Sequence, residues 1–164
     1  MMQARMRQAS LVAVVVFASV VFFASTALAQ SSNPHLGTWK LNLAKSRFDP
    51  GPAPSSDTRD FVVWDTDGVK HTVTTVRVDG TTSVTGYSAH YDGKDYKFTG
   101  PTADTVSLRR VDANTLETTL KFGGRVVQMS ESVVSKDGQT RTVTVTGTDA
   151  QGRKINNVMF FDKQ

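Results

Sequence analysis

The chain has 164 residues, of which 38% are hydrophobic and 21% charged, and its formal net charge at pH 7 is +4. It contains no cysteine, which excludes disulfide bonds and thiolate chemistry. Lysine and arginine are not clustered as phosphate-backbone binding requires, so no nucleic-acid partner is expected. We predict one domain held together by apolar packing and backbone hydrogen bonds.

The first 29 residues have the organisation of a secretory signal peptide. Arg5 and Arg7 precede the apolar run 11–24, and Ala-Leu-Ala at 27–29 is a small-residue cleavage pattern. An uncleaved membrane anchor is the alternative, but the apolar run is short for a bilayer span. We therefore expect an exported protein, periplasmic or extracellular, that consists of residues 30–164 and does not span the membrane after cleavage.

Beyond this segment, strand patterns alternate with turn signals. Asp-Gly pairs at 67–68, 79–80 and 92–93 favour tight hairpin turns, because such turns need positive φ angles. No segment shows a sustained helical period. The pattern predicts ten strands, over residues 37–43, 59–66, 69–78, 81–91, 94–99, 104–111, 115–122, 125–135, 140–148 and 154–162.

The one long connection is the Pro-rich segment 44–57, AKSRFDPGPAPSSD. Its prolines exclude a regular helix over most of its length, so we expect an extended strap across one mouth of the sheet. The predicted fold class is all-β, an up-and-down antiparallel meander of about ten strands. Closure of the meander into a barrel would remove its exposed edges.

Both ends of this meander carry recognisable sequences, GTWKL at 37–41 and NNVMFFDKQ at 156–164. They resemble the lipocalin and fatty-acid-binding-protein superfamily, the calycin β-barrels, whose chains begin with a Gly-x-Trp strand and end with an aromatic-acidic strand. The segment DTVSLRRVDANTLE at 104–117 is similar to small secreted bacterial proteins described as lipocalin-like. The resemblance implies a lipocalin-like barrel.

In such a barrel, Gly37, Trp39 and Phe161 would have structural roles, with Trp39 as a buried plug against the closing strand. Two departures separate the chain from fatty-acid-binding proteins. The Pro-rich segment stands in place of their two helices, and Met159 and Phe161 replace the Arg-x-Tyr pair that holds a carboxylate.

Hairpin registers predict which residues face the interior of the barrel. Two-residue turns at 79–80 and 92–93 would place aromatic residues inside and both His71 and His90 on the other face. Alternation over 104–122 puts Arg110 on the apolar face, and a turn at 123–124 would bring Glu131 beside it, with Arg109 and Glu117 paired outside. The predicted lumen residues are Arg110, Glu131, Tyr87, Tyr96, Phe98, Leu108, Leu120 and Met129, and Val76 and Val78 are placed on the same face.

Each candidate group has two interpretations. Arg110 either meets an anionic or carbonyl group of a ligand, with Glu131 tuning it, or it forms a structural ion pair or reaches to a barrel mouth. The aromatic residues either line a pocket or fill a core. His71 and His90, with Asp95, are weak metal candidates without a ligand-like spacing, and we predict ordinary surface histidines and no cofactor.

No catalytic motif is present: the sequence has no G-x-S-x-G elbow and no phosphate-binding glycine loop. We therefore predict a non-enzymatic, monomeric protein that binds a small apolar or amphipathic molecule inside the barrel. The alternatives are an envelope protein-interaction module with a filled barrel, and a low-activity barrel enzyme that acts on an apolar substrate.

Overall fold

The computed structural model describes residues 33–164, so the predicted signal peptide lies outside the described residues. Ten antiparallel strands form one closed barrel in which β1 pairs with β10 and every other strand pairs with its sequence neighbours, which confirms the predicted fold class. Within this part of the chain, no helix has the length and apolar character of a membrane-crossing segment. The strands are β1 (Gly37–Arg47), β2 (Ser56–Trp64), β3 (Gly68–Val76), β4 (Thr82–His90), β5 (Tyr96–Thr99), β6 (Thr105–Arg110), β7 (Thr115–Phe122), β8 (Arg125–Val134), β9 (Thr140–Thr148) and β10 (Lys154–Lys163).

The two ends of the barrel differ. The end at which β1 begins, here the closed end, is covered by residues 33–36 and packed with large apolar side chains. The other end, here the open end, carries the segment 48–55 and the turns that follow β3, β7 and β9. Inner-face side chains near it are only partly buried, among them Val73, Leu120 and Ile155. The barrel is therefore shaped as a cup.

Trp39 and Phe161 close the cup. Both side chains are fully buried, together with Phe61, Leu108 and Leu116. The indole Nε1 of Trp39 donates a hydrogen bond to the backbone carbonyl of His35, at 3.0 Å, which attaches the N-terminal segment to the core.

Gly37 precedes this tryptophan with a φ of 116°, a conformation that L side chains rarely adopt. A Cβ atom at Gly37 would also lie 3.0 Å from Cε of Lys163. The Gly-x-Trp sequence thus combines a glycine that the backbone requires with a tryptophan that the core requires.

The Pro-rich segment is shorter than predicted, because β1 continues to Arg47 and β2 begins at Ser56. The strap comprises residues 48–55 and is bonded at both ends. Asn156 N donates to Asp49 O at 2.7 Å, and Ser55 N donates to Val76 O at 2.8 Å.

The register of β3 and β4 differs from the prediction by one residue. Arg77 N donates to Thr81 O, and Gly80 within this turn has a φ of 83°, so the turn contains three residues rather than two. His71 consequently lies opposite Tyr87 instead of Ser88 and faces the interior. The same slip moves Val76 and Val78 off the inner face, and Val78 is exposed.

A β-bulge changes the register between β7 and β8. Leu120 pairs with Gln128 whereas Lys121 pairs with Val126, which leaves Val127 as an extra residue. Gly147 on β9 accommodates this bulge, because a Cβ atom there would collide with the carbonyl oxygen of Val127.

Because of the bulge, Leu116 lies opposite Ser132, and the predicted lumen residues Glu131 and Met129 face outwards. Other predicted pairs are confirmed. Tyr87 lies opposite Phe98, and Arg109 pairs with Glu117 in an ion pair of 2.6 Å on the outer face.

Replacing Trp39 with alanine should lower the free energy of unfolding by about 3–5 kcal/mol, because the closed end cannot collapse around a cavity of this size. Chemical denaturation measures the change. The matched variant Trp64→Ala removes a partly exposed indole and should cost clearly less. Equal losses for the two variants would contradict the role of Trp39 as the plug.

Candidate functional site

Three charged residues lie well inside the barrel, Asp57 and Arg59 on β2 and Arg141 on β9, while Lys163 at the end of β10 lies over the Trp39 ring, with its Nζ 5.1 Å from the ring centroid. Strand alternation places them there. Asp57 and Arg59 share a face with the core residue Phe61, and Arg141 shares a face with Val143. Burying a charged group in an apolar interior costs desolvation free energy unless the group is paired. The partners of these three residues therefore determine whether a charge is left over for a ligand.

Arg59 is neutralised by Asp57. Its Nε lies 2.8 Å from Oδ1 of Asp57, whose other oxygen accepts a hydrogen bond from Thr75 Oγ1 at 3.1 Å. The Arg59 guanidinium also lies 4.5 Å from the ring centroid of Phe161. Its side chain is 15% exposed.

Arg141 has no such partner. Its Nε donates to Ser132 Oγ, and its guanidinium stacks 4.1 Å from the ring centroid of Phe61. Its Nη1 is buried without a hydrogen-bond partner, and among residues 33–164 no carboxylate forms an ion pair with it. Burial, and then Arg59, lower the pKa of Arg141 to about 9, so it remains cationic at neutral pH. Arg141 is therefore a buried positive charge without a counter-charge among the described residues.

His71 lies among the same groups. Its ring stacks on Phe61 at 3.9 Å between centroids and meets Tyr87 edge-on at 4.9 Å. Both ring nitrogens are buried without partners. Burial, then Arg59 and Arg141, lower its pKa well below the ordinary value, so the imidazole is neutral at pH 7. Neutral imidazole has one donor and one acceptor, and both are unused.

Tyr87 completes the polar part of the interior. Burial raises the pKa of its hydroxyl, which therefore stays protonated and can donate a hydrogen bond. Apolar residues surround this polar group toward the open end, among them Phe48, Phe98, Leu120 and Ile155, all partly buried against the core.

Two cavities open at the strap end of the barrel. The first, here the strap cavity, has a volume of about 600 Å³ and lies between the strap and the β3–β4 turn, with Asp57 and Thr75 at its inner side. The second, here the slot cavity, has a volume of about 440 Å³ and is lined by inner-face residues Leu120, Gln128 and Ile155. Both volumes are in the range of small-molecule sites.

The predicted lumen residues are distributed over several environments. Tyr87, Phe98 and Leu120 face the interior, and Leu108 is fully buried in the core. The hydroxyl of Tyr96 donates to Asp92 at 3.0 Å, which directs it to the closed end.

Arg110 and Glu131 do not flank a common site. Arg110 is exposed at the closed end, where its guanidinium lies 4.2 Å from the ring centroid of Tyr91. Glu131 and Met129 lie on the outer face because of the β8 bulge. The expected Arg110–Glu131 pair is therefore wrong, and the positive charge of the interior comes from β2 and β9 instead.

The two metal candidates lie on opposite faces of the wall. His71 faces inwards, whereas His90 faces outwards, with its Nδ1 2.6 Å from Asp67 Oδ1 and its ring against Trp64. The described part of the chain contains no group of three potential metal ligands. The expectation that both histidines share one face is wrong because the β3–β4 turn is one residue longer than predicted.

Neither a protein-family model nor a curated protein matches the sequence. Solved structures match the fold. A variant of the fluorescent protein UnaG has a TM-score of 0.57 at 15% identity, covering 80% of this chain and 96% of its own. Wild-type UnaG has a TM-score of 0.56 at 14% identity, covering 79% and 97%. A zebrafish ileal bile acid-binding protein complexed with cholic acid has a TM-score of 0.46 at 13% identity, covering 80% and 99%. At this identity, the likeness to UnaG shows the barrel fold alone.

The buried histidines predict an acid-dependent loss of stability. Burial, then Arg141 and Arg110, lower the pKa of His35 to about 3, and that of His71 is also lowered. Below pH 6.5 the unfolded chain therefore binds protons that the folded protein does not. The free energy of unfolding should fall by up to about 1.4 kcal/mol per pH unit for each histidine as the pH drops from 6.5 to 5.

Denaturant titrations between pH 7 and pH 5 measure this slope. His71→Phe should reduce it by about half, because one of the two buried imidazoles is removed. A wild-type stability that does not vary over this interval would contradict neutral burial of both rings.

Proposed function

We propose that this protein is an exported, monomeric, non-enzymatic barrel protein that binds a small amphipathic anion in its interior. The observation that carries the proposal is the buried Arg141 guanidinium, whose Nη1 has no partner, beneath a barrel that opens at one end. The similarity to small secreted bacterial lipocalin-like proteins and the signal-peptide pattern support export.

The charges of the interior favour an anionic ligand. Arg59 and Arg141 carry two positive charges and Asp57 one negative charge, so one anionic group would balance the set. Arg59 faces the more open half of the cup, whereas Arg141 lies deeper beside Ser132. An anion that contacts Arg59 would gain from the charge of Arg141 behind it, because electrostatic interactions are strong where water is excluded.

The walls of the cup favour an apolar body attached to that anion. Phe98, Leu120 and Ile155 are partly buried against the core in the half nearest the open end, and the protonated hydroxyl of Tyr87 can donate a hydrogen bond. This arrangement of apolar walls and a few convergent polar groups is typical of small-molecule sites. A filled barrel would give no reason for an uncompensated interior charge.

A matched pair of fluorescent probes tests this proposal. 1-Anilinonaphthalene-8-sulfonate and N-phenyl-1-naphthylamine share their rings, and only the first carries a sulfonate. Arg141→Met should weaken binding of the sulfonate probe about 10- to 100-fold, the effect of losing one charged interaction, and leave the neutral probe within threefold. Fluorescence titration measures both dissociation constants.

The same variant separates binding from stability. A buried charge without a counter-charge usually destabilises, so Arg141→Met should leave the free energy of unfolding unchanged or raise it by up to about 4 kcal/mol. A large loss of stability together with unchanged probe binding would assign Arg141 a structural role and contradict the proposal.

Asp57→Asn should act in the opposite direction. Removal of this carboxylate raises the positive excess of the interior, so the sulfonate probe should bind more tightly and the neutral probe should not. Arg109→Gln is the matched control, because it removes an arginine that is paired with Glu117 on the outer face. If Arg109→Gln weakened binding of the sulfonate probe as much as Arg141→Met, the affinity would depend on surface charge and not on the interior site.

A further inference from the structure

Strand β4 has an unpaired edge near the open end of the barrel. All nine residues of β4 pair with β3. Its ladder with β5 contains only the pairs Gly86–Thr99 and Tyr87–Phe98, and β5 ends at Thr99. Residues 82–85 of β4 therefore extend beyond the end of β5 and have no strand on that side.

The chain that follows β5 leaves this edge uncovered. Pro101 and Thr102 line the slot cavity together with Leu120 on β7, so the chain turns away from β4 and across the barrel mouth. Thr82 and Val84 are exposed at the edge, and Val84 is 61% exposed although it is apolar.

The turn before β4 determines which backbone groups lie at this edge. Arg77 N donates to Thr81 O, and hydrogen-bonded pairs alternate with non-bonded pairs along an antiparallel ladder. Ser83 is therefore bonded to β3, whereas the N–H and C=O groups of Thr82 and Val84 point away from β3. In the described part of the chain, no backbone bond outside the strand ladders reaches either residue. Four backbone groups are thus available to an added strand.

A basic groove adjoins this edge on the outer face of the wall. It has a volume of about 400 Å³, and Lys70 and Lys97 lie on its lining with Gly86. The other lining residues contribute hydroxyl, imidazole and apolar groups but no carboxylate: His71, Thr72, Val84, Thr85, Tyr87, Ser88 and Thr99. Within residues 33–164, no ion pair includes either lysine. Two positive charges without counter-charges therefore lie beside the unpaired edge.

We propose that this edge of β4 binds an extended, acidic segment of another protein by strand addition. The backbone of the segment pairs with Thr82 and Val84, and its carboxylates lie in the groove between Lys70 and Lys97. Gly86 is two residues from Val84, about 7 Å along the strand, so one segment of five or six residues reaches both features. The inference does not depend on a ligand inside the barrel.

The chemistry of the edge selects this occupant. Backbone groups without partners at a strand edge are a template for pairing with another extended chain. A cationic groove without carboxylates favours an acidic chain over a basic one. A second copy of this protein is less suited, because its own strand 82–90 contains no carboxylate to meet the two lysines.

Amide hydrogen exchange, measured by NMR on the isotope-labelled protein, tests the edge and its occupant together. The probe is the synthetic peptide acetyl-TVEVEVT-amide, and acetyl-TVKVKVT-amide is the matched basic control. In the free protein, the amides of Thr82 and Val84 should exchange at least about tenfold faster than those of Ser83 and Thr85, which are bonded to β3. The glutamate peptide should slow exchange at Thr82 and Val84 by about tenfold or more and leave Ser83 and Thr85 within about twofold.

Charge variants test the groove, with fluorescence anisotropy of labelled peptides as the measurement. Lys70→Glu with Lys97→Glu should weaken binding of the glutamate peptide at least about tenfold. Lys45→Glu with Lys136→Glu changes the net charge by the same amount at exposed lysines elsewhere on the surface, and it should leave the affinity within about twofold.

Slow exchange at Thr82 and Val84 in the free protein, independent of protein concentration, would show that the edge is already covered and would overturn the inference. Protection that rises with protein concentration in the absence of peptide would assign the edge to a second copy and overturn the acidic partner. Unprotected amides at about 1 mM glutamate peptide, or equal affinity for the two peptides, would overturn the inference as well.

Discussion

An arginine without a counter-charge inside an apolar barrel is the constraint on which this structure depends. Arg141 donates a hydrogen bond to Ser132 and packs on the ring of Phe61. Neither contact supplies a negative charge to neutralise the buried guanidinium. Asp57 already pairs with Arg59. A buried charge without a counter-charge is energetically costly, whereas a methionine at position 141 would not carry that cost.

The two ends of the barrel determine the surroundings of Arg141. Trp39 and Phe161 seal one end, and the glycine before Trp39 permits the backbone to enter the first strand at that angle. At the other end, inner-face residues remain partly exposed, and the strap is hydrogen-bonded at both of its ends. Arg141 thus lies among buried side chains, where electrostatic interactions are strong because water is excluded.

The fold followed from the sequence because Asp-Gly turns, alternating valine and threonine, and the Gly-x-Trp and closing-strand sequences all indicate the same barrel. The pairing registers of the strands were harder to predict from the sequence. A turn with one more residue than expected brought His71 inside, and the bulge at Val127 turned Glu131 and Met129 outwards. Single-residue slips of this kind reverse a face and leave no trace in composition.

The interior arginines, in contrast, can be recognised from the alternation of residues along their strands. In TRTVTVT at 140–146 threonines occupy one face, and Arg141 occupies the other with Val143 and Val145. Asp57, Arg59 and Phe61 alternate in the same way. Arg110 also alternates with apolar residues, but it lies at the exposed end of its strand. Alternation predicts which face of the sheet a residue occupies, and it does not predict how far the residue lies from the end of the barrel.

The most direct test is a crystal structure of the protein with 1-anilinonaphthalene-8-sulfonate bound. We expect the naphthalene rings to lie within the open half of the cup, and the sulfonate to lie within hydrogen-bond distance, about 3 Å, of Arg59 or Arg141. A sulfonate that points to solvent, or a probe that lies on the outer surface with no ligand in the interior, would contradict anion binding inside the barrel.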